Sequence, residues 1–302
     1  MSKHLIYILL PLLIFAACQS DKQKDTDFGA EFEIPDSVIY DGELEISQQA
    51  MDEIVQNISS PVEIAALIKS VGVPYSKNYL ASTDNIDNYN TSFEKALGLG
   101  IYGADLGYQN MFNKTGSVID YISAIKTLAD GIRVGQFFDF STLRRLVSNN
   151  QNLDSLMTIS VQNFNQMDRY LNENNRSNLS SLIVTGVWIE SMYLLCESIK
   201  ESPNAELSEK IGEQKIILGN LMLLLKNYER DPKFKDLIEK LTEIQSIFRE
   251  VTITYEKAEP EMIEEDGMLV IKQNDKQSIE ISNETLFKII DKTVEVRNKI
   301  IL

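Results

Sequence analysis

Histidine is almost missing from this chain: the only one is His4, and the only cysteines are Cys18 and Cys196. Removal of the N-terminal segment would leave no histidine at all. That excludes Ser-His-Asp and Cys-His nucleophilic catalysis and the common zinc, copper and non-haem iron sites. No metal and no cofactor are expected. An intrachain disulfide would have to join Cys18 to Cys196. Positive charge is also scarce: 29 Lys and Arg face 45 Asp and Glu, a net charge of −16. Such a surface repels polyanions, and no basic patch with interleaved aromatics offsets it, so no nucleic-acid partner is expected. Phosphate-binding loops are lacking too. GLGIYG at 98–103 matches the letters of a dinucleotide fingerprint but sits inside a helical pattern, where those glycines have no phosphate to approach. DNIDNYNTS at 84–92 lacks the glycine and distal glutamate of a calcium loop and reads as a helix-capping segment.

What is present begins with MSKHLIYILLPLLIFAAC. A basic start is followed by an apolar run from Leu5 to Ala17, too short to cross a bilayer, which needs about 20 residues. Residues 1–17 therefore read as a signal peptide. Phe15-Ala16-Ala17-Cys18 resembles the bacterial lipobox, with Phe15 where the pattern prefers leucine. The resemblance implies cleavage before Cys18, acylation of Cys18 and stable anchoring by several chains. Residues 18–44 are polar and acidic and read as a flexible tether. Ser20 is not the aspartate that marks inner-membrane retention in enteric lipoproteins, so the expected address is the outer membrane. Which face of it the body occupies, periplasmic or surface, stays open.

A composition of 43% hydrophobic and 25% charged residues is that of a folded globular chain. The body, 45–250, reads as helices joined by short breaks. Ser60-Pro61-Val62-Glu63 looks like a capping box opening a helix to about Ser70. Further helices are expected from Thr83 or Thr91 to Phe112, from Gly116 to Asp130, from Leu153 to Asn172, from Asn178 to Glu201 and from Ala205 to Tyr228. A short one after Ser141 would hold Arg144 and Arg145. Asp231-Pro232 opens the cleanest amphipathic stripe, Phe234 to Phe248. From residue 251 to 302 the period changes: Val251–Tyr255 alternates like a strand, 268–272 and 278–281 read as a hairpin around Asn274-Asp275, and Asn283 caps a last helix. The fold class is therefore mainly α, a bundle or array of antiparallel helices with a small C-terminal β-hairpin. The tetratricopeptide pattern is absent. GIYGADLGY (100–108) and GVWIESMY (186–193) share a glycine, an aromatic and an acid three residues before a tyrosine.

KALGLGIYGADLGYQN holds Gly98, Gly100, Gly103 and Gly107 inside a helical pattern, at about 0.5–1 kcal/mol each relative to alanine. Ala96, Gly100, Gly103 and Gly107 fall within an arc of about 60° on a helix. Such a stripe permits close backbone packing, with 178–201 (Ser181, Gly186) the expected partner, or leaves room for a ligand.

Asp105 lies opposite that stripe, and Glu190 sits in a helix apolar nearly all round, so both acids are expected to be buried. Each then needs a partner among Lys126, Arg133, Arg144, Arg145, a tyrosine hydroxyl or the other acid. Two uses stay open: a polar contact that fixes helix register, or a pocket in which paired carboxylates do acid–base work. Tyr102, Tyr108, Trp188, Tyr193, Arg144 and Arg145 are the accompanying ligand candidates. Trp188 serves equally as core, and Cys196 as a small buried hydrophobe.

The run ALGLGIYGADLGYQNMFNKTGSVIDYISAIKTLADGI, continued by FDFSTLRRL and YLNENNRSNLSSLIVTGVWIESMYL, resembles an uncharacterised family of helical lipoproteins from Bacteroidota. The resemblance agrees with the lipobox and implies no activity. The expectation is thus an envelope protein tied to the membrane through lipid at Cys18, acting as a non-catalytic binding or interaction module for an envelope protein or a small ligand. The alternative is a carboxylate-based hydrolase using Asp105 and Glu190.

Overall fold

Ser92–Met111 (α2) and Ser177–Glu201 (α5) form the most extensive helix pairing of the structure and its centre. The computed structural model describes residues 61–301 apart from 115, 143–152, 257–260, 266–267 and 273–275. The remaining helices are α1 (Pro61–Ser70), α3 (Val118–Gly131), α4 (Leu153–Glu173), α6 (Ala205–Lys226), α7 (Pro232–Phe248) and α8 (Asn283–Ile300). Two 3-10 segments, Lys77–Tyr79 and Thr83–Asn88, link α1 to α2. The segments read above as signal peptide (1–17) and tether (18–44), with Cys18, Ser60, Arg144 and Arg145, lie outside the described residues.

Local chemistry sets the helix boundaries. Thr91 accepts the Glu94 N–H while the Glu94 carboxylate accepts the Thr91 N–H, a complete capping box at the head of α2. Gly72, at φ +84°, ends α1 in the left-handed conformation glycine tolerates. Asp231 caps α7 with Pro232 at its first turn, as the pattern anticipates. One cap differs from expectation, Ser282 rather than Asn283 capping α8, and α5 opens one residue before the expected Asn178, after Arg176, which makes no side-chain cap.

The central contact is made by glycine. A Cβ on Gly100 would lie 2.0 Å from the Ile183 carbonyl oxygen, and one on Gly186 would lie 2.1 Å from that of Leu97 and 3.2 Å from the Cα of Gly100. The backbones of α2 and α5 touch there. Gly103 and Gly107 do not share this role: nothing lies within 4 Å of a Cβ on Gly103, and only Val62, at 3.8 Å, near one on Gly107. The stripe is thus functional only at its Gly100 end. Gly98, off the stripe, admits the Tyr89 ring. Asp105, five residues past Gly100, meets Glu190, four past Gly186. Contacts therefore advance in the same sense along both helices, and α2 and α5 run parallel. Their sequence neighbours return antiparallel, with Gly131 of α3 against Lys95 of α2. α5 is long and apolar enough to cross a membrane by composition, yet 94% of its apolar window is buried within the protein, so it serves as the core rod.

The β region departs from the expected hairpin. Strands Thr252–Glu256 (β1), Glu261–Glu265 (β2), Met268–Lys272 (β3) and Lys276–Glu280 (β4) pair antiparallel as β1–β4 and β2–β3. The 268–272 and 276–280 strands are therefore not partners. The residues between β2 and β3 in sequence are Asp266-Gly267, a dipeptide that two-residue hairpins favour over Asn-Asp. β4 rests on α6, where Gly212 leaves room for Ile279, and Lys215 donates to the Val251 carbonyl at 2.7 Å. α8 packs on α5 and α7, which brings its C-terminal half to the molecular centre.

Candidate functional site

Three helices and one irregular segment converge on the two buried acids. Asp105 (α2) and Glu190 (α5) have no solvent exposure. Glu190 is held by Arg297 of α8 through two parallel bonds, Nε to Oε2 at 2.9 Å and Nη2 to Oε1 at 2.6 Å. This is the fork geometry that arginine alone supplies. The guanidinium also lies 4.0 Å from the centre of the Tyr193 ring and donates to the Tyr79 carbonyl at 3.4 Å. Asp105 accepts the Ala81 N–H at 2.8 Å through Oδ2. Its Oδ1 finds no N–H or O–H donor, and the Glu190 carboxyl stands within hydrogen-bonding range.

Two acids and one arginine sealed from water resolve their charge in one way. A proton stays on Asp105, Glu190 carries the negative charge, and the cluster is neutral. Burial is the main force that pushes the Asp105 carboxyl well above the ordinary range, and the Glu190 charge adds to it. Burial lifts Glu190 as well, but Arg297 and the Asp105 hydrogen bond oppose that shift. The protonated Asp105 donates to Glu190 and accepts from Ala81, so both its oxygens are used.

The tyrosines around this pair perform one task. Tyr102 donates to the Ser82 carbonyl at 2.7 Å, Tyr121 donates to the Ala81 carbonyl at 2.6 Å, and Tyr108 accepts the Ser76 N–H at 3.1 Å. With Asp105 and Arg297, they satisfy five backbone groups of residues 76–82, which no helix or sheet ladder satisfies. Tyr79, from that segment, hydrogen-bonds Glu201 at the end of α5. Burial, first among the causes, raises the Tyr102 and Tyr121 hydroxyls and lifts Tyr108 to about 12, so all three stay neutral at physiological pH.

Of the residues marked in the sequence, the structure thus joins Asp105, Glu190, Tyr102, Tyr108 and Tyr193. Helical geometry allows it, because positions three apart differ by about 60° around the axis. Trp188 stands about 200° from Glu190 on α5 and turns away, donating to Gln214 of α6 at 3.0 Å in the core. Lys126 pairs instead with Asp130 on the surface. Arg297, Tyr79 and Tyr121 were missed. Arg297 is 107 residues from Glu190 in sequence, and its only local signal is a basic residue on the apolar-spaced register Leu286, Ile289, Ile290, Thr293, Val296. No group of three or more metal-ligating His, Cys, Asp and Glu side chains occurs among the described residues. Within the acid pair Arg297 takes both Glu190 oxygens and the Ala81 N–H takes Asp105 Oδ2. Neither acid lines the groove between α2 and α7 or the acidic depression of Glu63, Glu206, Glu209 and Glu213.

Comparison with known proteins finds no matching family model, no matching curated protein and no matching solved structure.

Proposed function

We propose that this protein is a lipid-anchored component of the bacterial cell envelope, held at the outer membrane through Cys18, whose helical body is a non-catalytic binding or interaction module. The observation that carries the non-catalytic half is the closure of the acid pair. Hydrolysis by two carboxylates needs both to face substrate and one to face water, whereas Asp105 and Glu190 have no exposure and spend their oxygens on Arg297, Ala81 and each other. The anchoring half is supported by the Phe15–Cys18 pattern and the acidic tether after it. A partner for such a module is an envelope protein or a small ligand.

Two measurements test the halves separately. Cells expressing the full chain are fed an alkyne-bearing palmitate; label and membrane association are expected for the native chain and neither for Cys18→Ala. Label retained by Cys18→Ala would overturn the anchor. Purified protein is then incubated with chromogenic glycosides and esters. No turnover is expected, and turnover that Asp105→Asn abolishes would restore the hydrolase reading.

A further inference from the structure

α6 turns an apolar strip to solvent. Its run Ile216-Ile217-Leu218-Gly219-Asn220-Leu221-Met222-Leu223 is apolar nearly all round, but only one side faces the core. Leu218, Leu221 and Met222 are buried, whereas Ile216 and Leu223 stay 42% and 41% exposed. Seven residues apart, those two lie within about 20° of each other around the axis and about 10 Å apart along it. Gly219 sits between them, and nothing lies within 4 Å of a Cβ placed there. A glycine costs a helix interior about 1 kcal/mol, and the neighbours of α6 among the described residues do not call for one.

The charges on either side of this strip complement each other. N-terminal to it, Glu206, Glu209 and Glu213 line a depression with Glu63 of α1, where the one ammonium is that of Lys210. Glu213 takes Lys210 at 2.6 Å, and Glu206 and Glu209 pair with no cation among the described residues. C-terminal to it, Lys226 is exposed and pairs with no carboxylate among the described residues. From this pattern we infer that α6 is the contact helix of a homodimer, in which a second copy lies antiparallel on it about a two-fold axis between Gly219 and Asn220. That axis sets Ile216 against Leu223 of the second copy, twice over. It also brings Lys226 of the second copy to the height of Glu213, within a lysine's reach of Glu209. The missing Gly219 side chain leaves room for Asn220 of the second copy. A parallel pairing would instead set acids on acids and lysine on lysine, and an anionic bilayer would meet the acidic end. One helix pair is small beside the roughly 1,200–2,000 Å² of a standard interface, so a weak, exchanging dimer is expected. The inference goes beyond the module reading above and needs neither the anchor nor an envelope partner.

The test places a thiol beside the axis. Asn220→Cys in the full chain carrying Cys18→Ala adds one accessible cysteine, since Cys196 is buried. A non-ionic detergent keeps the apolar 5–17 segment from driving association. Under mild oxidation a disulfide-linked homodimer is expected to form about tenfold faster or more than from Glu239→Cys, on the exposed side of α7. Adding Lys226→Glu to Asn220→Cys is expected to slow linking about fivefold. Adding Glu209→Lys/Glu213→Lys to that variant is expected to restore the rate to within about twofold. Unchanged thermal melts show that the variants fold; a reversal that fails the melt is replaced by Glu209→Lys alone, for which a partial recovery is expected. Linking no faster than at position 239, linking indifferent to Lys226→Glu, or charge reversal without recovery would overturn the homodimer. A chain that stays monomeric yet binds an envelope protein or a small ligand would leave the module reading intact and remove only this contact.

Discussion

Replacing Asp105 by asparagine is expected to leave the protein at least as stable as the native one at pH 7 and to erase a specific pH dependence. In the folded state burial and the neighbouring Glu190 charge hold the Asp105 proton, whereas an unfolded aspartate releases it near pH 4. Between those two values the native protein binds one more proton than the unfolded chain. Stability contributed here is complete below about pH 4 and is lost as pH rises toward the folded-state value. The slope is about 1.36 kcal/mol per pH unit while the folded-state value exceeds the pH, or up to about 2.7 kcal/mol between pH 5 and pH 7. Asparagine copies the protonated acid: its oxygen accepts the Ala81 N–H and its amide donates to Glu190. Urea unfolding of both proteins at pH 5, 6 and 7 measures the effect, and subtracting the two curves cancels the titrations of groups not coupled to Asp105. The gap between variant and native is expected to move in favour of the variant as pH rises. Parallel curves, or an asparagine variant weaker by more than about 2 kcal/mol at pH 7, would refute the shared-proton arrangement.

Removing the cation acts in the opposite direction. Arg297→Met strips Glu190 of the one cation paired with it among the described residues and is expected to cost about 3–5 kcal/mol at pH 7. The loss shrinks as pH falls and Glu190 takes up a proton instead; a pH-independent loss of under about 1 kcal/mol in urea titrations would contradict the assignment. Glycine substitutions separate the contact from the stripe: Gly100→Ala or Gly186→Ala drives a methyl into backbone and costs about 1–3 kcal/mol or more, while Gly103→Ala, in open space, gains about 0.5–1 kcal/mol. Calorimetric melts that rank the three alike would sink the crossing. Burial alone would raise Glu94, but N–H donation from Thr91 and Asn90 and the Lys233 ammonium bring it down to about 2. Glu94→Gln should therefore lose a little stability at neutral pH, under about 1 kcal/mol, and the difference is expected to vanish as pH falls from about 4.3 through 2.

Features decided within a few residues were legible in the sequence. The Asp231-Pro232 cap stands where the pattern puts it, and Thr91, one of the two starts the pattern allows, is the one that caps α2. The closeness of α2 and α5 was readable from Gly100 and Gly186, because only a missing Cβ allows such an approach. Their parallel sense was not, since small-residue stripes look the same to either orientation. Burial of Asp105 and Glu190 followed from apolar surroundings, but the identity of the cation did not. Candidates near in sequence, Lys126 among them, lost to Arg297 on a helix whose own pattern gives no hint of Glu190. Trp188 was grouped with Glu190 by proximity in the chain, although a two-residue step on a helix sends the side chains to opposite sides. In the β region, attention to Asn274-Asp275 hid the stronger turn pair Asp266-Gly267, and the glutamates of β2 masked a strand.

Arg297 comes 107 residues after the acid it neutralises and 218 after the carbonyl it also grips. During synthesis, α2 and α5 emerge long before their counter-ion does. Until the last helix arrives, the two acids can leave water only by both taking up protons, so a chain interrupted before Arg297 holds a centre that water keeps prying open. Completion of the polypeptide is thereby coupled to closure of its core.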